Sequence, residues 1–217
     1  MKFFAKKTKS ISGLLQPLRS NLYISKHQKH ISKTSTFVIL ILFMLYSCSE
    51  VLKIQSSNDI QLIPQKTGKW CWAATTEMCL KYLGESGIDQ CDAANKVFGR
   101  NDCCSTPVPL DCINGSFPEF EKYNYSYSRT TNTALSWMEI KKQINLKKPI
   151  AFSWKYTGGG GHMMVITGYN TIDGVNYLYI NDPLEVNVGS KYAISYTEFV
   201  SGPTHTHWDD FYNLTKK

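Results

Sequence analysis

Hydrophobic positions along the chain change their period partway through, and that change predicts the organisation. Trp72 to Leu83, WAATTEMCLKYL, places Ala73, Ala74, Met78, Cys79 and Tyr82 at three- and four-residue spacing. That is the period of a helix. Alanine favours helix strongly, and Gly84 stops the run. Asp89 to Phe98, DQCDAANKVF, reads as a second short helix. Ser136 to Asn145 reads as a third, with Trp137, Ile140 and Ile144 on one face and Lys147-Lys148-Pro149 after it. Beyond Pro149 the pattern turns to strands. Ile150 to Tyr156 is a β-type run, Gly158 to Gly161 a four-glycine loop, and His162 to Tyr169, HMMVITGY, a second strand. Thr171 to Gly174 is a turn and Val175 to Ile180 a third strand. Asn181-Asp182-Pro183 closes it, because Asp and Pro break strands. Ile60 to Ile63 reads as a brief extended segment stopped by Pro64, and Cys103 to Phe117 as a loop rich in Cys, Pro and Gly. Helices first and strands second predict an α+β fold, with an antiparallel sheet packed against a helical half.

Charge changes this picture at the N-terminal end. The formal net charge is +7, yet residues 1–47 hold eight Lys or Arg and no Asp or Glu. Residues 48–217 hold 16 basic and 17 acidic residues, a net of −1. The folded part lacks the basic surplus that nucleic-acid binding needs, so no nucleic-acid partner is expected. Ten apolar residues, Phe37 to Tyr46, follow Lys26, Lys29 and Lys33. The run is shorter than the roughly 20 residues that span a bilayer and has the size of a signal-peptide centre. Its end, Leu45-Tyr46-Ser47-Cys48, resembles a lipoprotein lipobox, which implies removal of the leader and lipidation of Cys48. The expected layout is a signal peptide at 1–47, a polar tether at 48–59 and one domain at 60–217. The expected location is the cell envelope, on its periplasmic or surface side, or the exterior. The expected membrane contact is the lipid at Cys48.

Six cysteines follow Cys48, and four of them crowd into Cys91 to Cys112. Outside the cytosol such clusters form disulfides. Cys79, Cys91, Cys103, Cys104 and Cys112 are the candidates, with adjacent Cys103 and Cys104 taking different partners. If Cys71 stays free, one of the five is left over, and sequence alone leaves the pairing open.

Cys71 lies in QKTGKWCWAA, at the start of the first helix. Partial positive charge at a helix N-terminus favours a thiolate there. A thiol nucleophile needs a base, and the base needs an orienting group. Only His162, His205 and His207 follow the leader. His162 begins a strand directly after the glycines. His205 and His207 sit in THTHW with no predicted strand to hold them, and two histidines without a third ligand make a weak metal site. No metal is expected. The glycine loop lacks the Gly-Lys-Ser/Thr and the helix of a phosphate loop. Asp182 ends the strand after that of His162, so a hairpin brings the two together, and Asp182 can hold the imidazole tautomer. Asn181 is the rival. Successive strand residues face opposite sides, so only one of the pair points at His162.

The order Gln65, Cys71-Trp72, His162 and then Asp or Asn resembles the papain-like cysteine peptidases. Their signature includes a glutamine six residues before a Cys-Trp pair at a helix start. With GGHMMVITGY and Asn181-Asp182-Pro183, the chain looks most like the bacterial secreted branch, related to bacteriocin-leader peptidases and papain-like effector proteases. The resemblance covers roughly Gln61 to Tyr196. It implies a two-part fold, a protein or peptide substrate and no cofactor. It also implies Cys71 as nucleophile, His162 as acid and base, Asp182 as orienter and Gln65 as oxyanion donor. The other functions compatible with these residues are a papain-fold amidase or transpeptidase, acting on cell wall or on one partner protein, and a non-catalytic binding module.

Overall fold

Helix boundaries follow the capping chemistry. The computed structural model describes residues 56–217. The expected signal peptide, Cys48 and most of the expected tether lie outside the described residues. Helix α1 is Cys71–Tyr82, α2 is Gln90–Phe98 and α3 is Trp137–Asn145. Asp89 caps α2 by accepting the Cys91 N–H, and Gly99 ends it in the left-handed region at φ 65°. Ser136 caps α3 by accepting the Glu139 N–H. A side-chain oxygen at these positions satisfies donors the helix itself cannot. No described helix is long and apolar enough to cross a membrane.

Strand β3 is Ile150–Tyr156, β4 is Gly161–Ile172 and β5 is Val175–Asp182. Asp173 and Gly174, both at positive φ, turn β4 into β5. Two such residues fit the twist of a tight hairpin. Four further strands were not apparent from the periodicity: β1 Ser56–Ser57, β2 Tyr125–Arg129, β6 Ser190–Ser195 and β7 His205–Lys216. A short helix α4, Tyr196–Val200, links the last two. The strands form one antiparallel sheet in the order β2-β7-β3-β4-β5-β6, with β1 also paired to β4. Gly168 is required where β1 meets β4, because a Cβ there would lie 2.8 Å from the Ser56 carbonyl oxygen.

Both faces of the sheet are covered, and β4 shows why HMMVI reads as a continuous apolar run. Met163 and Val165 pack with Trp70, Trp72, Met78 and Leu80 on the α1 side. Met164 and Ile166 pack with Ile140, Ile144, Phe152 and Phe199 on the other. Alternation sends successive residues to opposite cores. The fold is therefore α+β, with a helical N-terminal half against an antiparallel C-terminal sheet.

Several expectations change. The tether reaches into the domain, because Ser56 and Ser57 pair with Tyr169 and Gly168. Ile60 to Ile63 forms no strand. The Ile60 carbonyl takes its hydrogen bond from the Asn181 side chain instead. His205 and His207 are held by a strand after all. His205 stacks on Trp154 with ring centroids 3.7 Å apart, and His207 Nε2 meets Asp210 Oδ2 at 2.9 Å. Disulfides join Cys91 to Cys104 and Cys103 to Cys112, so the adjacent cysteines do take different partners. Cys79, a disulfide candidate from the sequence, is free and fully buried in the α1 core. Cys91 in α2 and Cys103, Cys104 and Cys112 satisfy one another locally, and burial pushes the Cys79 thiol's pKa far up, which keeps it inert.

Candidate active site

Cys71 is the first residue of α1, and nothing competes for the partial positive charge at that end. Trp70 precedes it without a side-chain cap, and the first turn carries no acidic residue. Cys71 itself is half-buried. The flanking tryptophans are buried and tie down the disulfide-bonded loop. Trp70 Nε1 donates to the Cys112 carbonyl at 2.7 Å, and Trp72 Nε1 donates to that of Asn114 at 3.0 Å. The two disulfides and two indole bonds thereby fix the segment that begins at Gly115.

The β4–β5 hairpin delivers the imidazole and the carboxylate. Val165 pairs with Asn181, so one step further Asp182 stands opposite Met164. His162 lies two residues along on that same face. Diagonal neighbours of this kind are within side-chain reach, and His162 Nε2 meets Asp182 Oδ1 at 2.6 Å. Asn181 faces the opposite way and donates to the Ile60 carbonyl at 2.8 Å. Asp182 Oδ1 also accepts the Leu184 N–H at 2.9 Å, and Oδ2 accepts the Tyr192 hydroxyl at 2.9 Å.

The electrostatics favour an ionised pair. Burial opposes a charge on His162, but the hydrogen bond with Asp182, the nearby Cys71 thiol and the charges of both outweigh it. They push the imidazole from 6.5 up to about 9. Burial also opposes the Asp182 charge, while the bonds from His162, Leu184 and Tyr192 hold its carboxyl below the ordinary value. With Nε2 on Asp182, Nδ1 is the ring nitrogen left for Cys71.

Gln65 is 1% exposed and clamped through its backbone. Its N–H donates to the Pro183 carbonyl, and its own carbonyl accepts from Asn187, each at 2.9 Å. Gln90 secures the neighbouring residues by donating to the Pro64 carbonyl and accepting the Lys66 N–H. The Gln65 side chain sends one amide hydrogen to the Thr67 carbonyl at 2.7 Å. An amide nitrogen carries two hydrogens, so one stays available. Gln65 Oε1 is buried without a protein partner, an uncommon state for a buried amide.

Gln65, Cys71 and His162 open into one cavity of about 550 Å³. Its walls also include Phe117, Tyr156 and Trp208. A Cβ on Gly161 would lie 2.6 Å from the Trp154 carbonyl and 2.8 Å from the Trp208 ring. Only glycine lets β4 begin so close to that indole. Sequence reasoning did not find Tyr192, Tyr156 or Trp208. Tyr192 and Trp208 lie on two of the four strands that periodicity missed, and no local signal marks any of the three. The two Cys/Asp groups with ligand spacing, around Cys91–Cys104 and Cys103–Cys112, are built on disulfides, which offer no thiolate to a metal.

Comparison with known proteins agrees in outline. No curated protein matches the chain. A solved mite-allergen structure, from work on the limited antibody cross reactivity between Blo t 1 and Der p 1, is similar at 13% identity and a TM-score of 0.46. That similarity covers 70% of this chain and 67% of the other. The Peptidase_C39 like family matches residues 57–214, which takes in Gln65, Cys71, His162 and Asp182. By that match the chain belongs to the Peptidase_C39 like family.

Proposed function

We propose that the chain hydrolyses peptide bonds through a Cys71 thioester. The observation that carries this reading is His162, which bonds to Asp182 and shares one cavity with the cysteine at the uncapped start of α1. Cys71 thiolate attacks a peptide carbonyl carbon. The oxygen that gains charge is met by the Cys71 N–H and the free Gln65 amide hydrogen. Preorganised donors of this kind contribute about 3–4 kcal/mol each. His162, protonated at neutral pH, gives its Nδ1 proton to the leaving amine. The neutral imidazole then takes a proton from water, which attacks the thioester and restores the Cys71 thiolate and the His162 imidazolium. Asp182 keeps Nε2 engaged throughout, which fixes Nδ1 toward sulfur.

Export extends this reading. Four of the six cysteines after Cys48 are paired, and disulfides persist in oxidising compartments. The short apolar run and Leu45-Tyr46-Ser47-Cys48 supply a signal peptide and a lipid site. The chain is therefore read as an envelope lipoprotein tethered at Cys48, with a peptidase domain working on protein or peptide substrates.

The test is a peptide-library cleavage profile of the domain beside Cys71→Ala. Cleavage by the wild type and none by the variant is the expected result. Equal cleavage by both would reject a Cys71 nucleophile. Cysteine-dependent release from peptidoglycan, with none from peptides, would redirect the reading to a cell-wall amidase.

A further inference from the structure

We infer that Tyr192 is a positioning residue of this site, acting through Asp182 as the fourth member of a Cys71–His162–Asp182–Tyr192 chain. The inference rests on the cysteine-peptidase reading above. Its starting point is the hydrogen-bond inventory of the carboxylate. Asp182 Oδ1 is shared by His162 Nε2 at 2.6 Å and the Leu184 N–H at 2.9 Å. Oδ2 has a single partner, the Tyr192 hydroxyl at 2.9 Å. The terminal torsion of an aspartate is broad and roughly two-fold, so bonds to one oxygen leave the carboxylate plane free to swing. A donor on the second oxygen removes that freedom. The donors come from β4, from the loop after β5 and from β6, so the plane is set from three directions.

The sheet register places Tyr192 for this task. Ile180 pairs with Tyr192, and Asp182 with Ser190. Asp182 and Tyr192 are thus diagonal neighbours on one face, the relation that also joins His162 to Asp182. The Tyr192 ring packs with the cluster that holds Met164 and Ile180, and its oxygen lies 3.3 Å from Met164 Sδ. A thioether is a weak acceptor, which leaves the carboxylate as the strong partner. The ionisable groups bearing on the phenol are Asp182, Tyr156 and Glu198. Burial and these negative or neutral neighbours keep the hydroxyl protonated. It therefore donates to Asp182 across the working pH range. The bond favours the charged carboxylate and helps hold it ionised beside His162.

Two consequences separate this role from simple packing. Tyr192→Phe keeps the ring and removes only the donor, so Asp182 takes up a proton at higher pH. The acid-side fall in the rate of Cys71 alkylation by iodoacetamide then moves to higher pH. A hydrogen bond to a charged group is a strong one, and its loss is expected to lower kcat about tenfold with KM unchanged. The effect also depends on Asp182. In an Asp182→Asn background, Tyr192→Phe is expected to change the alkylation rate by less than about twofold, because residues acting in one network are not additive.

The experiment is this double-mutant cycle on the domain. Cys71 alkylation is followed from acid to alkaline pH, with thermal melts to confirm folding. Alkylation needs no knowledge of the substrate, so it reads the Tyr192 effect even if peptide hydrolysis by Cys71 fails its own test. A raised acid limb in Tyr192→Phe that disappears in the Asp182→Asn background supports the inference. An unmoved acid limb, or the same fold-change in both backgrounds, overturns it.

Discussion

Replacing Asp182 with asparagine removes a charge and little else, and His162 reports the loss. The imidazole stands at about 9 against an ordinary 6.5, which corresponds to about 3 kcal/mol in favour of the imidazolium. Its side chain is only 7% exposed, so solvent screening takes little from that figure. The 3 kcal/mol is already net of the burial penalty. Asp182 supplies a hydrogen bond and a charge against that penalty, and the nearby Cys71 adds to them. A close opposite charge shifts its partner by about one to three pH units, so losing the Asp182 charge is expected to lower the imidazole by at least about one. The sign follows directly. The imidazolium is present below its pKa, so the proton for the leaving amine is available at neutral pH and is lost as pH rises through about 9. In Asp182→Asn the alkaline limb of kcat/KM is expected to move down by one pH unit or more. Asparagine still offers Nε2 an acceptor, so some activity remains. The assay is initial-rate hydrolysis of a fluorogenic peptide over the alkaline range. A folded Asp182→Asn protein with an unmoved alkaline limb would refute the reasoning.

Three other outcomes follow from the geometry. Gln65→Ala removes the free amide hydrogen beside Cys71 and is expected to lower kcat by about 10²- to 10³-fold with little change in KM, measured by steady-state kinetics. Thiol titration of a protein comprising residues 56–217 is expected to find two free thiols in denaturant and to label only Cys71 natively. Cys79 is fully buried in the α1 core. The double variant Cys103→Ser/Cys112→Ser opens a short loop and is expected to cost about 3 kcal/mol, read by denaturant unfolding. KM is expected to rise as well, because Gly115 to Phe117 beyond that disulfide lines the cavity.

The elements legible in the sequence were those whose stabilising chemistry is local. Asp89 and Ser136 announce their helices because a cap is a contact between near neighbours. Ile150 to Tyr156 was legible to the residue, since a buried run between Pro149 and glycines has few other readings. Hairpin pairing and alternation brought one of Asn181 and Asp182 to His162 without saying which, and only the resemblance of the Asn-Asp-Pro ending favoured Asp182. What was missed depends on distant partners. Strand β7 carries His207, Asp209 and Asp210 at buried positions, and a polar run of that kind resembles a surface loop. One oxygen of each carboxylate is bonded, that of Asp210 by Thr130, the Leu135 N–H and His207 and that of Asp209 by Arg129, while the other is buried without a partner. Strand β6, SKYAIS, is a largely polar edge with one buried residue, Ile194, so Tyr192 had no pattern to stand in. Cys79 looked like any other cysteine in the row. Its isolation follows from the local pairing of Cys91, Cys103, Cys104 and Cys112, which composition does not show.

The central claim is that Cys71 forms the bond to substrate. Intact-mass spectrometry of the domain, quenched in acid during turnover of an activated peptide ester, measures that bond directly. The account predicts one acyl adduct on wild type, mapped by digestion to Cys71, and none on Cys71→Ala. Turnover of the ester by Cys71→Ala at the wild-type rate, or an adduct on any other residue, would contradict it.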